Sequence, residues 1–149
     1  MRGIDFTTEN VRATIAGNKK QTRRLRPTFK VGERLFIREP FYLPKWFDEI
    51  SAGDLLKKGQ IVTPYFEPND ITGRKRNKRF MPYKFARYFI EIKSVRTERL
   101  QDISPADCLL EGVESRDLYA VLFDSIHGLG AWDKNPTIYI YDYEKIEIT

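Results

Sequence analysis

The clearest pattern in the sequence is the alternation of apolar and polar residues in two segments. Between Phe85 and Val95, positions 86, 88, 90 and 92 place apolar residues on one face, and polar residues at 87, 91 and 93 take the other, which predicts a strand with one buried face. From Thr137 to Glu144, isoleucine alternates with tyrosine, and Lys145 to Ile148 continues the pattern, which predicts a closing strand, or two strands joined by a bend. A shorter strand is predicted over Glu33–Glu39, entered through a turn at Val31-Gly32 and ended by Pro40.

Three helices are predicted from caps and apolar spacing. The first runs over about 8–16, with Thr7 or Thr8 as N-cap and Gly17 as the stop. The second starts at Ser104-Pro105 and ends at Glu111-Gly112. The third starts near Arg116, and its apolar face is predicted to consist of Leu118, Val121, Leu122 and Ile126.

The region between about 43 and 80 has frequent Pro and Gly and no sustained periodicity. It reads as an irregular insertion with at most one short strand, at Gln60–Phe66. The element order predicts an α+β fold with a mostly antiparallel sheet, and a small barrel capped by helices is a natural way to bury it. The length of 149 residues and the absence of a linker or an internal repeat favour one domain over 1–149.

The numbers of cysteines and histidines exclude some kinds of site. Cys108 and His127 are the only residues of their types, so the sequence offers no internal disulfide and no Cys/His metal cluster, and no cofactor is expected. Cys108 lies in an apolar helical stretch and is expected to fill the core, whereas His127 is expected in a polar loop. No apolar run is long enough for a membrane span, and the start lacks a signal-peptide core, so a cytoplasmic location without membrane partners is expected.

The basic residues are concentrated in two clusters. The net charge is +5, and five basic residues lie among the eight of Lys19–Arg26 and five among the six of Arg74–Arg79. Such density favours an anionic partner, with phosphate the obvious candidate, although solvated loops are the alternative. The nucleic-acid-binding residues predicted from these clusters are Lys20, Arg23, Arg26, Arg74, Lys75, Arg76, Lys78 and Arg79.

Several segments, in the same order along the chain, resemble segments of ASCH-family proteins. Gly17–Arg24 resembles the Gly-x-Lys-x-x-Thr-x-Arg segment that follows the first helix of ASCH proteins, and Val31–Glu39 looks like their strand entry. Arg38-Glu39 is similar to the Arg-Glu pair of the longer, phage-associated members. Further similar segments are Met81-Pro82, Val95-Arg96, Leu100–Ile103, Asp107, Glu111–Val113, Trp132 and Asn135-Pro136. The resemblance covers nearly the whole chain except about 43–77.

The resemblance implies a PUA-like fold, a small mostly antiparallel β-barrel flanked by short helices. It also implies a chemistry, because the bacterial amidohydrolase branch removes the acyl group of N4-acetylcytidine with a lysine, a threonine and a glutamate. Carried over by position, these catalytic residues are Lys19, Thr22 and Glu111. Arg24, Arg38 and Glu39 are then the expected substrate-binding residues, and the expected partner is a nucleoside or RNA bound by a monomer.

These residue types suit amide hydrolysis. A threonine hydroxyl attacks an amide carbonyl only when a base removes its proton, and a lysine can be that base when burial or nearby cations favour its neutral form. Glu111 would orient Lys19 or relay a proton, and Arg24 or a backbone N–H near Gly17 would stabilise the oxyanion.

The sequence is also compatible with two other functions. One is a non-catalytic domain that binds RNA or a modified nucleobase, with the two basic clusters in one groove and Tyr42, Trp46, Tyr83 and Trp132 available for stacking. The other is a ribonuclease that uses the same Lys and Glu as acid and base. In the binding interpretation Lys19 and Arg24 contact phosphate, Thr22 is a turn hydroxyl and Glu111 is a salt-bridge partner.

Overall fold

The computed structural model describes residues 1–148, and it has a mixed α+β architecture. The chain forms two compact units, each with its own apolar core. Of the described residues, the first unit comprises Met1–Val11, Leu35–Phe89, Glu147 and Ile148, and the second comprises Arg12–Arg34 and Ile90–Ile146. The α+β class predicted from the sequence is therefore confirmed, while the assignment of the chain to one domain stays a prediction.

The first unit contains two pairs of strands. Strand β1 (Gly3–Asp5) pairs in parallel with β3 (Arg34–Arg38), so that Ile4 lies opposite Ile37. Strand β4 (Phe41–Pro44) pairs antiparallel with β5 (Thr72–Arg76), and helix α2 (Ala52–Lys57) lies between them in the chain. The buried core of this unit consists of Phe36, Phe41, Leu43, Ala52, Leu55, Met81 and Phe85.

In the second unit, β6 (Phe89–Arg99), β7 (Thr137–Ile146) and β2 (Gln21–Arg24) lie side by side in this order. Helices α3 (Pro105–Leu110) and α4 (Arg116–His127) follow β6 in the chain, and helix α1 (Thr8–Ile15) leads into β2. The core residues are Leu100, Ile103, Cys108, Tyr119, Phe123, Ile138 and Ile140. The side chains of β2 are thus placed against β7, in the unit that contains α3 and α4.

Helix boundaries agree closely with the caps in the sequence. The side chains of Ser104 and Ser115 accept hydrogen bonds from Asp107 N and Leu118 N at the starts of α3 and α4. Gly17 and Gly112 follow α1 and α3 with φ of 81° and 87°, which glycine adopts without strain. Capping is local chemistry, so it can be read from neighbouring residues alone.

The region predicted to be an irregular insertion is more regular than expected. The region 43–80 contains helix α2 and strand β5, and residues 60–66 form no strand, although Tyr65 makes an isolated bridge with Tyr42. The sequence of β5 has no apolar alternation that would have predicted a strand. Its extended conformation is stabilised by backbone pairing with β4 and not by burial of one apolar face. The long strand also begins later than predicted, at Phe89, since Phe85 lies in a 3₁₀ turn.

Helix α4 buries a different face from the one predicted. Tyr119 and Phe123 face the core, while Leu118, Val121, Leu122 and Ile126 are exposed. The two aromatic rings lie one helical turn apart, and Tyr119 also packs edge-to-face on Trp132, with ring centroids 6.2 Å apart. Within residues 1–148 no helix is long and apolar enough to cross a membrane.

Candidate functional site

The candidate site is built around strand β2, whose four residues are all polar. Gln21, Thr22 and Arg23 are nevertheless buried, because β2 pairs antiparallel with β7 and Thr22 lies opposite Tyr141. Successive side chains of a strand point to opposite faces, so Gln21 and Arg23 share one face and Thr22 and Arg24 share the other. The strand therefore presents two different polar surfaces.

A buried ion pair joins Lys19, two residues before β2, to Glu111 at the end of α3. The ammonium of Lys19 donates to Oε2 of Glu111 at 2.8 Å and to the main-chain oxygens of Gln21 and Glu111 at 3.0 and 3.2 Å. Lys19 and Glu111 are only 4% and 5% exposed. These three acceptors satisfy the three N–H bonds of a charged ammonium.

The turn after α3 brings Glu111 to this position. Glu111 is the C-cap of α3 and forms an isolated antiparallel bridge with Lys19. Gly112 follows with a positive φ, and a Cβ at this residue would lie 3.4 Å from that of Ala13 and 3.7 Å from that of Lys19. These distances are ordinary van der Waals contacts, so it is the positive φ of the turn, and not a lack of space, that favours glycine here.

Arg23 gathers three carboxylates on the same face. Its Nη2 donates to Glu98 at 2.7 Å and to Asp107 at 3.3 Å, and its Nη1 lies 3.4 Å from Oε1 of Glu111 and donates to Oε1 of Gln21. Burial alone would lower the pKa of the Arg23 guanidinium, but the hydrogen bond that it donates to Glu98 and the charge of Glu111 raise it above its usual value. Arg23 is therefore a fixed cation beside Glu111.

The network continues from Gln21 into β7 and β6. Gln21 Nε2 donates to Oδ1 of Asp142 at 3.0 Å, and Oδ2 of Asp142 accepts from Ser94 at 2.6 Å and from Arg96 at 2.9 Å. Burial would raise the pKa of Asp142, but these hydrogen bonds outweigh it and hold the pKa below its usual value. Arg96 also contacts Asp107 at 3.3 Å, so the polar contacts link β2, β6, β7 and α3.

On the other face of β2, Thr22 interacts with an arginine. Nη1 of Arg24 donates to Oγ1 of Thr22 at 2.8 Å and to the carbonyl of Arg23 at 3.2 Å. Thr22 is 2% exposed. A hydrogen bond from a guanidinium favours negative charge on the acceptor oxygen, so Arg24 is placed to stabilise an alkoxide at Thr22.

Two tyrosines and the histidine lie in the electrostatic field of these groups. Burial, together with the charge of Glu111, raises the pKa of Tyr119 and of Tyr143, and the hydroxyl of Tyr143 is 2.8 Å from that of Thr14. Both tyrosines are therefore neutral at physiological pH. Burial lowers the pKa of His127, and the positive charge of Arg24 lowers it further.

The structure brings together part of the predicted site. Lys19 and Glu111 are in direct contact, and Thr22 and Arg24 pair with each other on β2. Arg38 and Glu39 belong to the first unit, where Arg38 forms an ion pair with Asp5, and Glu39 accepts a hydrogen bond from Arg87 at 3.1 Å. Their role in substrate binding stays a prediction.

Two of the predicted phosphate contacts need correction. Arg23 and Arg76 are buried, and the guanidinium of Arg76 donates at 2.7 Å to the carbonyls of both Ile50 and Phe47. Both side chains therefore serve contacts inside the protein. The other predicted basic residues are at least partly exposed, namely Lys20, Arg26, Arg74, Lys75, Lys78 and Arg79.

Sequence reasoning missed the residues that complete the ionic network. Glu98, Asp107 and Asp142 are spread along the chain with no spacing that would connect them to Gln21 or Arg23. His127 was expected in a loop but is the last residue of α4. Cys108 is fully buried, as expected of a core residue, and burial raises the pKa of its thiol. Among residues 1–148 no group of three or more His, Cys, Asp or Glu side chains could hold a metal ion.

The chain matches no protein-family model, no curated protein and no solved structure. The ASCH resemblance therefore stays a prediction that rests on the residues quoted for it.

Proposed function

We propose that the second unit is an amidohydrolase that removes the acyl group from an N-acylated nucleobase or nucleoside of the N4-acetylcytidine type. The observation that carries this proposal is the buried Lys19–Glu111 pair, whose ammonium contacts the carbonyl of Gln21, the residue before Thr22. Thr22 in turn accepts a hydrogen bond from Arg24. The substrate class comes from the resemblance to ASCH proteins, which also makes a PUA-like barrel and a cytoplasmic location part of the proposal.

In the first step, Thr22 is the nucleophile and Lys19 the base. A proton passes from the Lys19 ammonium to Glu111 along their 2.8 Å contact, which converts a buried ion pair into a neutral pair and frees the amine to accept a proton. Oγ1 of Thr22 attacks the acyl carbon as its proton moves to Lys19, whose amine, once neutral, turns from Glu111 toward the face of β2 that carries Thr22. Arg24, already bonded to this oxygen, stabilises the charge that develops there.

In the second step, the carbon–nitrogen bond breaks and the acyl group stays on Thr22 as an ester. The proton held by Lys19 goes to the departing exocyclic nitrogen. Water then attacks the ester with Lys19 again as base, which releases the carboxylic acid and restores the threonine hydroxyl. Arg23 holds one oxygen of Glu111 throughout, so it orients the carboxylate for exchange with Lys19 through the other oxygen.

The test is turnover of a panel of N4-acylated cytidines by the full chain, followed as release of cytidine. Thr22→Val removes the hydroxyl with little change of shape, and we expect it to reduce kcat by at least about a thousandfold. Thr22→Ser keeps the hydroxyl and should retain measurable turnover. Thr28→Val, which removes an exposed hydroxyl of the same unit, is the matched control and should not change kcat.

A second arm examines whether the residues act together. Lys19→Met and Thr22→Val should each abolish most of the turnover, and the double variant should be scarcely worse than either single one, since members of one catalytic unit are not additive. Binding of the substrate should change by less than about tenfold in each variant, or about 1.4 kcal/mol. Cleavage of RNA without hydrolysis of acylated cytidines would instead indicate a ribonuclease, and turnover that survives Thr22→Val would exclude the proposed nucleophile.

A further inference from the structure

The first unit contains a stretch of chain with strongly unbalanced charge. Between Asp70 and Glu91 the sequence has seven basic residues and no acidic one. Three of the seven donate side-chain hydrogen bonds to other residues of the unit: Arg76 to two carbonyls, Arg87 to Glu39, and Arg74 to the carbonyl of Asp48 at 3.0 Å. The other four are Lys75, Lys78, Arg79 and Lys84.

These four cations form no ion pair within residues 1–148. Two exposed cations of the second unit, by contrast, have carboxylate partners. Lys93 lies between Glu91 and Glu144, and Arg96 between Asp107 and Asp142. The absence of compensating carboxylates from one continuous segment leaves a positive potential that a bound anion would neutralise.

Large aromatic side chains are exposed within the same segment. Phe80 is 68% and Tyr83 50% exposed, and the guanidinium of Arg79 lies 5.8 Å from the centre of the Phe80 ring. Edge-to-face contacts with Phe36 and Phe89, at centroid distances of 5.2 and 6.2 Å, hold the Tyr83 ring in place. An exposed ring that is already fixed loses little entropy when another ring stacks on it.

The local backbone explains why these groups point outward together. The segment leaves β5 and makes two 3₁₀ turns, Lys78–Phe80 and Tyr83–Phe85, each closed by hydrogen bonds of its own. Met81 and Phe85 are buried in the apolar core and anchor the turns. The residues between the anchors are left at the surface, within a stretch of ten residues that cannot span more than about 35 Å.

We propose that a basic–aromatic surface formed by Lys75, Lys78, Arg79, Phe80, Tyr83 and Lys84 binds single-stranded nucleic acid. Unpaired cations neutralise phosphates, and exposed rings stack on bases, which is the combination that single-strand binding requires. A duplex would use only the cations, because its bases are already stacked on each other. The surface belongs to the first unit, so the inference is independent of the proposed hydrolase site.

The test is fluorescence anisotropy with labelled 12-nucleotide single strands of RNA and DNA, a duplex of the same length, and the full chain. Affinity for the single strands should fall steeply with salt. Lys75→Ala/Arg79→Ala should reduce the magnitude of the log–log salt slope by about 1.4, the value expected for two lost phosphate contacts. Lys57→Ala/Lys58→Ala removes two exposed charges of the same unit and should leave the slope unchanged.

The stacking part is tested without any change of charge. Phe80→Leu keeps an apolar side chain but removes the ring, and should weaken single-strand binding about fivefold or more, whereas Phe80→Tyr should not. Phe80 is largely exposed, so neither change should alter the thermal midpoint. Hydrolysis of acylated cytidine, if present, should be equal in all of these variants.

Three results would overturn the inference. The first is equal loss of binding in the Lys57→Ala/Lys58→Ala control, which would indicate a general charge effect. The second is duplex binding that is as tight as single-strand binding and indifferent to Phe80→Leu. The third is binding to phosphatidylserine-containing vesicles without binding to oligonucleotides, which would make the surface a membrane contact.

Discussion

The ammonium of Lys19 lies 2.8 Å from Oε2 of Glu111, although 92 residues separate them in the chain. Both side chains are almost inaccessible, and Arg23 holds the second oxygen of the same carboxylate at 3.4 Å. A buried charge is costly unless it is paired, so each partner depends on the other. This relationship leads to a prediction about stability and, through the proposed mechanism, to predictions about activity.

Removing one member of the pair should destabilise the protein strongly. Lys19→Met or Glu111→Gln should each lower the free energy of unfolding by about 3 to 5 kcal/mol. Lys19→Met leaves the buried Glu111 carboxylate with only its longer contact to Arg23, and Glu111→Gln leaves the buried ammonium of Lys19 without its carboxylate. The double variant should be less unstable than the sum of the two, by at least about 1 kcal/mol. Urea unfolding measures all three.

The matched control for that cycle is the exposed pair of Lys93 and Glu91. Lys93→Met and Glu91→Gln should change the free energy of unfolding far less than the variants of the buried pair, because solvent screens this pair. Additive effects at Lys19 and Glu111, as small as those of the control, would show that their contact contributes little.

Arg24 should affect turnover more than substrate binding. Arg24→Gln removes the charged guanidinium that donates a hydrogen bond to Oγ1 of Thr22. Under the proposed mechanism this change should lower kcat about a hundredfold, with a small change in KM. Arg24→Lys should restore part of the rate. Arg26→Gln, an exposed arginine two positions further on, is the control. An effect of Arg24→Gln confined to KM would assign Arg24 to binding alone.

The pKa of His127 should depend on the charge of Arg24. NMR can follow this titration without overlap, because the chain has one histidine. Burial and the positive charge of Arg24 both lower the pKa of His127, so its titration midpoint should lie below 6.5 in the folded protein. Arg24→Gln should move the midpoint upward, and Arg26→Gln should not. A midpoint that does not respond to Arg24→Gln would contradict the electrostatic contact.

Asp142 should make stability depend on pH in the acid range. Its pKa is lower in the folded than in the unfolded protein, so its contribution is complete above the unfolded value of about 3.9 and is lost as pH falls through the folded value. Asp142→Asn should therefore reduce stability at pH 7 by about 1 kcal/mol, given its partial exposure, and the difference should disappear in strong acid.

Urea unfolding of Asp142→Asn and the unchanged protein at several pH values tests this prediction. Asp133→Asn, an exposed aspartate of the same unit, is the control and should show no such pH-dependent difference. An equal loss of stability at every pH would mean that the hydrogen bonds of Asp142 do not require its charge.

Features that depend on neighbouring residues could be predicted from the sequence. The starts of α3 and α4 follow from serine caps, and the ends of α1 and α3 follow from glycines with positive φ. The alternation in β7 likewise places Ile138 and Ile140 in the core. Each of these signals requires only a few consecutive residues, because capping and strand periodicity are local properties.

Features that depend on pairing between distant segments could not be predicted in this way. Strand β2 has four polar residues and β5 carries part of a basic cluster, and both are strands because β7 and β4 supply their hydrogen bonds. Helix α4 has apolar residues on two sides, so its periodicity does not say which side is buried. Tertiary packing buries the side that carries Tyr119 and Phe123.

The same division applies to the candidate site. The sequence alone, through the Gly-x-Lys-x-x-Thr-x-Arg resemblance, determined the candidates Lys19, Thr22 and Arg24, and the end of a predicted helix determined Glu111. Only the tertiary structure decided that Lys19 meets Glu111, that Arg23 is a buried cation among carboxylates, and that Lys75 and Arg79 stay exposed without a carboxylate partner among residues 1–148. The cause is physical: the environment of a charge is set by the groups that folding brings within a few ångströms, and these come from distant parts of the chain.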